Sequence, residues 1–375
     1  MRNRCICGAH AREIYSEFDN EWEELDPEFG DEEWEWVPGA RARIEAAPPG
    51  PSATPLPALT SKEQAALAKL PQTAQAQFRR LRTIAGTYTG VPRRETDRGA
   101  RTLLRYGYFQ VHSQLLPEIL KLTQITTLPA GWRLSTARPL LVGNVLYNLA
   151  FPETINQGGP DRLGGQGDPT CFSASTQILL ARRYPTTYVR LVIQLATTSR
   201  ARFAGGDSIG PLTFKSTNLY KSLESVLLQT AFEDYFNTKA IRQGSYAPGD
   251  ELKVHRQIFG PTRPPRFATY HPKSAMVQAF RKAFITNGGN TRRWEIVNLC
   301  AGSTSPSCGK RNHSVVLTRV ASGRVYFYNP WPNEREKKTM WGAAQVSVSG
   351  NGERPAEASI SQADFENQLI TVFHN

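Results

Sequence analysis

Apolar positions in this chain settle into a regular period only at residue 61. Upstream, residues 13–36 (EIYSEFDNEWEELDPEFGDEEWEW) scatter Phe, Trp and Tyr among acids, and residues 46–59 (AAPPGPSATPLPAL) are rich in Pro and Ala. Neither stretch offers enough aliphatic surface to offset the entropy of ordering it. Residues 1–59 are therefore read as a disordered acidic tail followed by an extended linker. At Ser61 the run SKEQ, followed by AALAKL, is a capping box with Ser61 as cap and Gln64 three positions on. The spacing predicts further helices from Thr73 to Ala85 and from Arg101 to about Leu116, just before Pro117. Residues 60–150 thus read as a helical region, with scaffold, pro-segment and partner-binding module all open as roles.

Past Gly158 the chain runs through a Gly-rich loop into one helix and then into strands. Residues 186–196 (TTYVRLVIQLA) and 314–328 (SVVLTRVASGRVYFY) are rich in β-branched and aromatic residues and are predicted as strands. Residues 218–236 (NLYKSLESVLLQTAFEDYF) carry helical spacing between them. Helix, strands, helix and more strands over 151–375 read as an α+β domain. The longest apolar stretch, Leu140 to Phe151, is interrupted by Gly143, Asn144 and Asn148 and is too short to span a bilayer.

Charge changes this picture in one respect. Residues 1–40 hold 3 Arg and 12 acidic residues, a net of −9, so the rest of the chain carries +21 of the overall +12. A basic body favours polyanions non-specifically. No zinc-finger spacing, RNP-like strand or helix-turn-helix signature accompanies it, which argues against nucleic acid as the partner. The N-terminus, MRNRCICGAHAREIY, has no apolar signal region, and the expectation is a protein made in the cytoplasm without a membrane anchor.

Five cysteines at scattered spacing do not make a disulfide framework. Cys5, Cys7 and His10 are three ligand types in a tail and read as reduced thiols rather than a metal site. Cys300 and Cys308 bracket the loop AGSTSPS, where a disulfide and a reduced pair are both open.

The chemistry-bearing stretch is GGQGDPTCFSASTQILLARR, residues 164–183. Asp168 followed by Pro169 marks a helix start, with Asp as N-cap. Cys171 then falls in the first turn, where free amides and the positive end of the helix dipole favour a thiolate. Far downstream, His313 stands at the entrance of SVVLTRV and Asn329 at the exit of RVYFY. A hairpin turning at Ala321–Ser322–Gly323 brings the two within a residue or two of register. The Asn329 amide oxygen then accepts the imidazole N–H and fixes its tautomer. Trp331 covers that bond from water.

Gln166, Cys171, His313 and NPW at 329–331 resemble the papain clan of cysteine peptidases, most closely a calpain-type protease core. The run LTFKSTNLYKSLESVLLQTAFEDYF, residues 212–236, resembles that family's stretch between cysteine and histidine. The Gln–Cys spacing is one residue shorter than the family's, Phe172 stands in place of its tryptophan, and Pro332 in place of its glycine after NPW. The resemblance covers about residues 155–345. It implies a papain-like two-lobe cysteine protease fold, and a triad of Cys171, His313 and Asn329. It makes Gln166 the oxyanion-hole donor, with Gln157 in reserve. It implies no metal and no cofactor, and the family's calcium sites are not carried over.

The function expected from it is cysteine peptidase activity on a protein or peptide substrate. A papain-fold transglutaminase or deamidase and a catalytically inactive papain-like binding protein are the alternatives. The acidic aromatic tail points to a bacterial effector or toxin, with secretion machinery as the tail's partner and export or injection as its route.

Overall fold

The computed structural model describes residues 55–156, 171–214, 221–240, 248–262, 265, 267–269, 272–285, 295–300, 312–330, 347–349 and 357–374. Most of the tail expected over 1–59, including Cys5, Cys7 and His10, lies outside the described residues, as do Gln157, Gln166, Asp168, Cys308 and Trp331. The side chain of Cys300 is likewise outside them.

The chain enters the fold through α1 (Ser61–Ala68). Its cap is Thr60, one residue before the expected Ser61. Two overlapping boxes, TSKE and SKEQ, satisfy the same rule, and the structure uses the one with a carboxylate. Glu63 accepts from the Thr60 amide at 2.8 Å and holds Arg101 through two bonds of 2.9 Å each. Next come α2 (Gln72–Gly86), which spans the expected Thr73–Ala85, and α3 (Gly90–Arg105). The helix expected over 101–116 is instead broken. Gly107, at φ 69°, ends α3 in the left-handed region that glycine tolerates, ahead of the short α4 (Tyr108–Val111). Pro117 falls in the first turn of α5 (Leu115–Thr123), where a missing N–H breaks no intrahelical bond.

The broken apolar run becomes α6 (Leu134–Ala150), which lies against α3 at very short range. A Cβ on Gly99 would sit 2.6 Å from the Leu146 backbone, so only glycine lets these helices meet. After a 3₁₀ turn (Pro152–Thr154), α7 (Cys171–Arg183) is followed at once by α8 (Pro185–Thr198). The strand expected over 186–196 is this helix. Pro185 opens it, and Tyr188, Val189, Leu191, Val192, Leu195 and Ala196 are buried on one face at helical spacing. Burial of that stripe overrides the β-branched preference. A two-stranded ribbon, β1 (Ala201–Arg202) with β2 (Ser208–Ile209), leads towards α9 (Leu223–Tyr235) and α10 (Pro248–Phe259).

The remaining strands form a seven-stranded antiparallel sheet ordered β3-β9-β4-β5-β6-β8-β7. They are β3 (Phe267–Thr269), β4 (Glu295–Cys300), β5 (Asn312–Ala321), β6 (Arg324–Tyr328), β7 (Ser347–Ser349), β8 (Glu357–Ser361) and β9 (Leu369–His374). Two helices complete the fold, α11 (Lys273–Phe284) before β4 and α12 (Gln362–Gln368) before β9. The strand period of two sorts the side chains. Ile296, Val316 and Phe373 face the helical core, while Val297, Leu299, Val315 and Leu317 join a second core with Phe280, Phe284 and Phe365.

This is a mixed helix-and-sheet architecture of the α+β kind. The larger core takes in residues from Leu67 to Phe373, and helices of the 60–150 region pack on α7, α8 and α9. Among the described residues no helix is long and apolar enough to cross a membrane.

Candidate active site

α7 points its first residue at the middle of the sheet, and polar side chains fix it there. The Ser175 hydroxyl donates to the Ser314 carbonyl of β5 at 3.0 Å. On another side, Gln177 donates to the Tyr188 hydroxyl at 3.1 Å and to Ser225 at 2.9 Å, and accepts from Gln229 at 2.8 Å. That cluster continues into α6 through Asn148, which bonds Ser222 and Glu224. All of these groups are buried, so each bond is made in place of one to water and fixes the helix in one register. Phe172 stacks on Phe236 and His255, with centroids 4.7 and 5.0 Å away.

Cys171 therefore sits half-buried at the helix start with its sulfur against β5. The thiol is raised above its ordinary value. Burial is the chief cause and the Glu251 carboxylate adds to it, against hydrogen bonds from Ser314 and the Phe172 amide. The helix start predicts the opposite shift. Loss of water around the sulfur outweighs the hydrogen bonds that favour a thiolate here.

The hairpin brings His313 and Asn329 together as the spacing predicts. Ser322 and Gly323, at φ 50° and 70°, form a tight turn with both central residues in the left-handed region, the kind that matches strand twist. β5 and β6 pair Ala321 with Arg324 and Val316 with Tyr328, with a bulge between Leu317 and Arg319. Beyond the last pair, Nε2 of His313 lies 2.7 Å from Oδ1 of Asn329. An amide oxygen only accepts, so Nε2 carries the proton and Nδ1 is left as the basic nitrogen. His313 is 1% exposed, and burial pushes its imidazole down to about 3, partly opposed by the Asn329 bond. The pair rests as neutral thiol and neutral imidazole. Ser314, the residue after His313, contacts the Cys171 sulfur through its amide and hydroxyl.

Sequence reasoning missed three residues here. Asn298 and Ser314 are cross-strand partners on the inner sheet face, in line with the apolar Ile296 and Val316. Ser314 donates to Asn298 Oδ1 at 2.7 Å, and Asn298 Nδ2 donates to Glu251 on α10 at 2.5 Å. A polar residue interrupting the apolar alternation of an inward face was the available signal. Among the described residues no group of three or more His, Cys, Asp or Glu side chains converges as a metal site would require. Comparison with models of known families, with curated proteins and with solved structures finds no match.

Proposed function

We propose that this protein is a papain-like cysteine peptidase, with Cys171 as nucleophile, His313 as base and Asn329 as the residue that orients the base. The observation that carries this reading is the His313–Asn329 bond on a hairpin whose next residue, Ser314, touches the Cys171 thiol. A helical body and an antiparallel sheet that meet at the start of α7 suit a two-lobe protease fold, with the substrate lying across the junction.

In the reaction, His313 Nδ1 takes the thiol proton as the Cys171 sulfur attacks an amide carbonyl carbon. The tetrahedral oxyanion collapses, the C–N bond breaks, and the imidazolium returns its proton to the departing amine. Water then hydrolyses the thioester and releases the thiol. The Cys171 amide and, from the family resemblance, Gln166 supply the oxyanion donors. The acidic tail remains a delivery segment of an effector or toxin in this reading.

A peptidyl vinyl sulfone tests it, because that electrophile needs a positioned thiol and its base. Wild-type protein should be labelled at Cys171, and His313→Ala should lose the label while keeping its fold. Absent labelling of the wild type, or equal labelling of His313→Ala, contradicts the proposal.

A further inference from the structure

Residues 55–150 carry 13 Lys and Arg against 4 acids, a net of +9, and burial separates the two signs. Glu63, Glu95, Asp97 and Glu118 are all buried. Each is held by a partner: Glu63 binds Arg101, Glu95 accepts from Asn144, Asp97 accepts from Arg82 at 2.9 Å, and Glu118 accepts from Lys121 and Arg190. The outward surface of α2 and α3 is left to cations, with Arg79, Arg80, Arg94 and Arg98 exposed. On the sheet side, by contrast, Arg281 lies on Glu366 and Arg319 on Glu357. Clustered charge of one sign gives the α2–α3 surface a positive potential.

This surface holds a groove of about 380 Å³, and the chain itself forms one wall of it. Leu56 and Pro57 stand on one side, and Arg79, Arg82, Thr83 and Gly86 line the other at helical spacing. Arg82 fixes the first wall by donating to the Pro57 carbonyl at 2.5 Å. The chain therefore enters the described fold at the lip of the groove. Upstream, residues 13–36 hold 12 acids and no Lys or Arg, a net of −12, with Phe18, Trp22, Phe29, Trp34 and Trp36 among them.

We propose that residues 13–36 dock on this surface of their own chain, with an aromatic side chain in the groove and the flanking carboxylates on the arginines of α2 and α3. The proposal is independent of the reading of Cys171. Charge selects this occupant first, since the segment at −12 meets a region at +9 whose acids are all turned inward. The groove selects an aromatic anchor, because guanidinium groups on its rim stack on ring faces. The tether makes a weak contact sufficient. Only 18 residues separate Trp36 from Pro55, which holds the segment at roughly millimolar effective concentration. There, a contact with a Kd of about 0.1 mM is about nine-tenths formed.

The test is photocrosslinking in the full chain. Thr83→p-benzoylphenylalanine puts the probe in the groove wall, and Gln278→p-benzoylphenylalanine puts it on the exposed side of α11 for comparison. After irradiation and tryptic digestion, the Thr83 probe should join peptide 83–93 to peptide 13–41, and the Gln278 probe should not capture 13–41. The yield should fall about tenfold in about 1 M salt, where exposed charges are screened within about 3 Å. It should fall as far in the double variant Arg79→Glu/Arg80→Glu, whose two side chains are exposed. Dilution of the protein should leave it unchanged, because the contact lies within one chain. Absence of peptide 13–41 at Thr83, equal capture at Gln278, or a yield indifferent to salt or to charge reversal overturns the proposal. So does a yield that falls on dilution, since the occupant would then be a second copy. Should the charge reversal fail to fold, Arg79→Gln/Arg80→Gln takes its place, with a several-fold loss expected and an unchanged yield counting against the docking.

Discussion

Nε2 of His313 donates to Oδ1 of Asn329 across 2.7 Å, with both side chains shut away from solvent. Removing the acceptor leaves a buried N–H unsatisfied and lets the ring change tautomer or turn. Asn329→Ala should therefore lower kcat/KM by about 10- to 100-fold, the usual loss for an orienting partner. His313→Ala removes the proposed base itself and should cost on the order of 10⁴-fold. Equal losses in steady-state assays of the two variants would mean that Asn329 does not orient the base.

Acid should weaken the fold earlier than carboxylate protonation would. Burial pushes both His255 and His313 down to about 3, against roughly 6.5 for a histidine in the unfolded chain. The unfolded state binds these protons first. The stability they contribute is complete above about pH 6.5 and is lost as pH falls towards the folded values, at about 1.4 kcal/mol per pH unit for each histidine. His255 is ringed by Phe172, Phe259 and Phe373, and its only direct bond among the described side chains is a 3.4 Å contact with Thr176. His255→Phe should fold and flatten the dependence of the urea midpoint on pH by one proton. An unchanged slope would show that His255 is free to ionise.

The α3–α6 contact gives a steric prediction. Gly99→Ala places a methyl group 2.6 Å from the Leu146 backbone, with no flexible side chain to yield. Overpacking of this kind costs about 1–3 kcal/mol, which should lower the thermal midpoint by several degrees. A midpoint equal to wild type would show that the two helices slide apart without loss.

Arg101 and Glu63 form a bidentate pair with side-chain exposures of 8% and 1%. Arg101→Ala strands a buried carboxylate and should destabilise by about 3–5 kcal/mol. Replacing both with Met and Leu should cost much less. Denaturant unfolding of the single and double variants checks the difference.

The His313–Asn329 pairing was legible because it needed only a hairpin and two residues at its ends. Ser322 and Gly323 fix the turn, and the period-two pattern of β5 and β6 does the rest. Residues 186–196 misled because Val and Ile suit strands in isolation, and only the buried stripe with Pro185 at its head identifies a helix. The resting state of Cys171 was hidden for a different reason. A helix start is visible in sequence, but the burial that raises the thiol depends on which strand lies over the sulfur. The Glu251–Asn298–Ser314 chain of hydrogen bonds joins α10, β4 and β5, and no local pattern links those three positions.

Proteolysis by Cys171 is the central claim, and new peptide termini measure it most directly. Wild-type protein and Cys171→Ala, incubated in parallel with a proteome, should differ in one respect. The wild type should generate a set of termini sharing a sequence preference, and the variant, with its fold unchanged, should generate none. The same termini appearing with both proteins, or with neither, would contradict the account.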